Sequence, residues 1–134
     1  MRIQFFSNGL GLALCSCLLL AGCDSGEKRY RLQGNVTFKG KPVPEGYIVF
    51  EPDSSKGNTG GPGRAKILDG KYDTSADDNV GVLGGPHLIR IQGFDKKITG
   101  ESAQEVALPK SLFTDYNVSE ELPKQDGTKD FEIK

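Results

Sequence analysis

The chain has 134 residues, with 17 basic against 18 acidic side chains, one histidine and no tryptophan. A net charge of −1 offers no electrostatic basis for binding nucleic acid or an anionic membrane surface. Glycine is frequent (18 residues), and the length suits one domain with a single core.

The N-terminus has the layout of an export signal. Arg2 is followed by the apolar stretch Leu10 to Ala21. That stretch is too short to span a bilayer, which takes about 20 residues. It ends on Leu20-Ala21-Gly22-Cys23, the form of a bacterial lipobox, and polar residues follow from Asp24. Residues 1–22 read as a cleaved lipoprotein signal peptide, and 23–29 as the lipidated cysteine with a polar tether. Two or more acyl chains anchor a protein stably without its spanning the membrane. Cys15 and Cys17 leave with the leader and Cys23 carries the lipid, so no thiol remains for a disulfide, a zinc site or catalysis. The expected location is the exported side of the cell envelope, on the inner or the outer membrane. Asp24 resembles the inner-membrane retention signal of some bacteria, a rule that differs between lineages.

Strand signals begin at Tyr30. Leu32, Gly34, Val36 and Phe38 alternate with Arg31, Gln33, Asn35 and Thr37, a period of two. Lys39-Gly40-Lys41-Pro42 reads as a turn, and Tyr47 to Glu51 as a second strand ended by Pro52. Residues 53–63 are small and polar and predict a flexible loop. Arg64 to Leu68 and Lys71 to Thr74 predict a hairpin through Asp69-Gly70. A second loop covers Ser75 to Pro86, and His87 to Phe94 is the clearest late strand. Leu108 to Asn117 predicts a short helical turn or an irregular segment laid on the core through Leu112, Phe113 and Tyr116. Thr128 to Lys134 predicts a final strand with Phe131 and Ile133 on one face.

Short strands, regular turns and no helical periodicity predict an all-β fold over 30–134, an antiparallel β-sandwich of transthyretin-like or Ig-like type. The expected core is Val36, Phe38, Val43, Ile48, Phe50, Ile67, Tyr72, Ile89, Ile91 and Phe131.

The run Gly34-Asn35-Val36-Thr37-Phe38-Lys39-Gly40-Lys41-Pro42-Val43 resembles the opening of carboxypeptidase regulatory-like domains, a transthyretin-like family. Leu68-Asp69-Gly70-Lys71-Tyr72 is similar to that family's hairpin, and Gly81 to Ile91 to its later glycine-led strand. Pro109 to Asn117 and the final strand resemble the tail of small bacterial lipoproteins built on the domain. The resemblance implies a non-catalytic accessory or binding module. Its motifs are structural turns and say nothing of a ligand.

Candidate chemistry is sparse. His87, the lone histidine, has no companion set for zinc or iron, and its place at a strand start predicts an edge or surface residue. Asp73, Asp77, Asp78 and Asn79 gather oxygen ligands in one loop, but their spacing is not that of an EF-hand. The remaining acids read as solvated charges, and Ser54, Ser55 and Ser75 lack a base. No enzyme activity, metal or cofactor is expected. The expected function is a lipid-anchored structural or protein-interaction module, with a membrane partner through Cys23. The alternative is a carbohydrate-binding module using Tyr30, Tyr47 and Tyr116 as ligand contacts.

Overall fold

The computed structural model describes residues 26–96 and 108–134. The leader, the lipobox Leu20, Ala21 and Gly22, and Cys23 lie outside the described residues. The described part is nearly all β, as the alternation predicts.

Nine strands follow one another: β1 (Leu32–Phe38), β2 (Lys41–Pro42), β3 (Glu45–Pro52), β4 (Gly63–Leu68), β5 (Lys71–Asp73), β6 (Gly85–Phe94), β7 (Tyr116–Leu122), β8 (Gly127–Thr128) and β9 (Phe131–Ile133). They form one curled sheet in the order β2-β1-β5-β4-β3-β6-β7, with β8 and β9 also paired to β1. Pairing is antiparallel except for β8 and β9, which run parallel to β1. The first half of β1 thus lies between β5 and β8, and its second half between β2 and β9.

Two tight turns set the registers. Lys39-Gly40 joins β1 to β2 and Asp69-Gly70 joins β4 to β5, all four residues having positive φ. That matches the twist of a two-residue hairpin. At Gly70 a Cβ would sit 2.6 Å from the Pro42 side chain, so the two turns can nest only with glycine there.

Alternation along each strand sends one set of side chains inward. Ile48 and Phe50 of β3, Ala65 and Ile67 of β4, and Ile89 and Ile91 of β6 meet Leu32 and Val36 of β1. Phe50, Tyr72 and Phe131 stack at 5.9–6.4 Å between centroids and tie β3, β5 and β9 together. Nine of the ten expected core residues are buried. Phe38 is only partly so, because it sits where β1 ends and leans on Phe113 at 5.2 Å.

Three expectations change. Tyr116–Leu122 is a full strand along β6, where the sequence suggested that an irregular segment runs to Asn117. The final strand is split in two around Lys129 and Asp130. The glycine-rich loop from 53 to 62 is fastened to the body. The Asp53 carboxylate caps a 3-10 turn at Ser54–Lys56, and the Asn58 amide donates to the carbonyls of Gly84 and Pro86 at 3.2 and 2.7 Å. Loops without apolar residues can still be held by side-chain bonds to backbone.

The strand directions define two ends. The loops 53–62 and 74–84, the β7–β8 link and the entering segment Gly26–Tyr30 gather at one. The Lys39-Gly40 and Asp69-Gly70 turns lie at the other.

Candidate interaction surface

His87 is not at the surface. It is 1% exposed and shares the inward face of β6 with Ile89 and Ile91. Its Nδ1 lies 2.9 Å from the Gly85 carbonyl oxygen, and Nε2 has no hydrogen-bond partner. Burial pushes its pKa below the usual histidine value. The Gly85 carbonyl and Glu121 oppose that shift, and Arg29 adds to it. A ring closed off in this way has no access to a substrate.

Several carboxylates are engaged in structure. Asp73 accepts a fork from Arg31 and also the Ser75 backbone N–H, so its pKa lies below the ordinary carboxylate range. Asp53 is lowered chiefly by the Ser55 hydroxyl, with Lys56 assisting. Glu45, expected in solvent, is 2% exposed, and Lys66 Nζ stands 3.4 Å from it. Asp77 and Asp78 both have positive φ and are exposed. Among the described residues no three His, Cys, Asp or Glu side chains converge as metal ligands would.

The three tyrosines do not share a surface. Tyr116 faces inward opposite Ile91 and packs against the core. Tyr30 forms a backbone bridge with Val82 at the entry to β1. Tyr47, 44% exposed, stands on the outer face of β3 with its ring edge-on to Phe94. Tyr47 and Tyr30 line separate grooves.

Sequence reading did not single out the outer face of β4-β3-β6-β7. Register places Tyr47 beside Lys66 and Gln92, Val49 between Arg64 and Arg90, and Leu88 beside Glu51 and Ser119. Three shallow grooves of about 250 to 460 Å³ run across it. Two of them share Val49 and Arg64, and two share Arg90, so they form one continuous surface. Arg90 is ion-paired with Glu51. The surface ends at β7, whose far edge pairs with no described strand. The same period of two that buried Ile48 and Phe50 implies this face. What was missing was the strand order that sets Tyr47 and Val49 among Arg64, Lys66 and Arg90.

No protein-family model matches this chain, and no curated protein or solved structure does. The fold and the surface define an all-β domain with an enclosed core, an exposed mixed sheet face and, at β7, an edge that pairs with no described strand.

Proposed function

We propose that this protein is a lipid-anchored, non-catalytic protein-interaction module of the bacterial cell envelope. The Leu20-Ala21-Gly22-Cys23 lipobox supports the anchor and the location. The likeness of Gly34 to Val43 and of the Leu68–Tyr72 hairpin to carboxypeptidase regulatory-like domains supports an accessory role. The enclosed His87 and the internally paired acids support binding over catalysis.

The observation that carries the reading is the outer face. Tyr47 and Val49 stand among Arg64, Lys66 and Arg90, and exposed Leu88 follows beside the Arg90–Glu51 pair. Aromatic and arginine side chains around an apolar centre are what protein interfaces favour. The outer edge of β7, which pairs with no described strand, offers backbone groups to an added strand. A glycan would need ring platforms lying together, which the positions of Tyr30, Tyr47 and Tyr116 do not provide.

The test is retention of a partner from the native envelope by the anchored protein and by Tyr47→Ala with Leu88→Ala. Loss of one defined partner from a folded, lipidated variant is the expected result. Equal recovery by both proteins would contradict the assignment of this face.

A further inference from the structure

The entering segment is docked, although its sequence reads as a plain tether. Arg29 donates to the carbonyls of Gly81 and Gly61 at 3.2 and 2.9 Å. Glu27 lies 3.8 Å from Arg29, and Tyr30 and Val82 exchange backbone hydrogen bonds of 2.8 and 2.9 Å. The body therefore begins at Glu27. Only three peptide steps separate Gly26 from Cys23, so their Cα atoms lie within roughly 11 Å of one another. β3 runs from the other end toward this one, and the seven steps from Glu45 to Pro52 span about 23 Å at about 3.3 Å per residue.

We infer that the end of the domain carrying Lys28, Thr59 and Lys124 seats on the headgroup layer of the membrane that holds the anchor. This rests on the lipid-anchor reading of Cys23. A linker this short, joined to a segment held from Glu27 onward, confines the near end to the headgroup region and leaves the Lys39-Gly40 end standing away from it. The near end also has suitable chemistry. A groove of about 200 Å³ beside the segment is lined by Lys28, Tyr30, Asn58, Thr59, Leu83 and Lys124. Lys28 and Lys124 are exposed cations facing one opening, able to meet lipid phosphates. Glu27, the acid in that groove, is paired with Arg29. Asp77 lines a different groove with Lys66 and Lys71, over the outer sheet face. Net charge concealed the site because these two lysines are offset by acids elsewhere.

The experiment uses full-length protein purified from its membrane and placed in vesicles of phosphatidylethanolamine and phosphatidylglycerol. Thr59→Cys and Lys41→Cys each supply one free thiol for a fluorophore, since Cys23 carries the lipid. Nitroxide-headgroup lipids should quench the label at residue 59 strongly and the label at residue 41 at background level. Lys28→Glu with Lys124→Glu should reduce quenching at residue 59 while fatty-acid labelling of Cys23 persists. Equal quenching at both positions on lipidated protein overturns the seating and leaves the anchor intact, as does quenching at residue 59 that ignores the two lysines. Self-quenching at residue 59 that rises with protein density and not with nitroxide assigns this end to a second copy. Absence of lipid on Cys23 overturns both readings.

Discussion

Glu120 of β7 and Lys129, between β8 and β9, form an ion pair of 3.2 Å that joins the two ends of the curled sheet. These strands lie at opposite ends of the hydrogen-bonded order, and no backbone ladder links them. Lys129 also lies over the Phe131 ring at 5.5 Å. Both partners are partly exposed, so the pair is worth at most about 1 kcal/mol. Lys129→Ala should shift a urea melt only slightly while speeding amide exchange along β7. Unchanged exchange across Tyr116 to Leu122 would show that the pair does not hold this edge.

The core and the docked loop differ in what they contribute. Phe50→Ala should cost about 3–5 kcal/mol and Ile89→Ala about 2–5, since both are fully buried. Asn58→Ala should cost about 1–2 kcal/mol by removing the amide's bonds to the Gly84 and Pro86 carbonyls, of which Pro86 keeps the Asp53 N–H. Exposed Ser54→Ala should stay within about 0.5 kcal/mol. Denaturant midpoints for these four variants order the effects. Equal values for Asn58→Ala and Ser54→Ala would mean the loop is not fastened.

His87 makes stability depend on pH. Its folded pKa lies below its unfolded value of about 6.5, because burial disfavours the imidazolium. The unfolded chain therefore binds the proton first as pH falls. The stabilisation is complete above the unfolded value and is lost as pH falls through the folded one, with a slope of at most about 1.4 kcal/mol per pH unit. His87→Leu should flatten the stability profile between pH 7 and pH 5. An identical slope in the variant would place the titration elsewhere.

Much of the fold is legible in the sequence because a half-buried strand writes its inner face every second residue. Leu32 and Val36, Ile48 and Phe50, and Ile89 and Ile91 follow that rule. His87 follows it too, two residues before Ile89, and the parity of β6 was a better guide than its polarity. In β7 the inward set is Tyr116, Val118, Glu120 and Leu122, and the glutamate interrupts the apolar signal. The loop from 53 to 62 misled for another reason. It is held by Asp53 and Asn58 bonding to backbone, which leaves no hydrophobic trace. The outer face was illegible because strand order, which composition does not encode, decides that Val49 lies between Arg64 and Arg90 and Tyr47 beside Lys66.

The anchor has its own test in the envelope. Metabolic labelling with a fatty-acid probe should mark the wild-type protein, while Cys23→Ala should remain unlabelled and keep its leader. Equal label on both proteins would remove the lipobox from the account.

The most direct measurement is site-specific photocrosslinking in living cells, with the reactive residue placed at Val49 on the outer face or at Lys41 on the far turn. Val49 lies between Arg64 and Arg90 in the middle of the proposed interface. A single discrete adduct from residue 49, absent from residue 41 and lost when Arg64→Glu is added, is the predicted result. Adducts of the same pattern from both positions, or none from residue 49 in abundant folded protein, would contradict a protein-interaction module that works through this face.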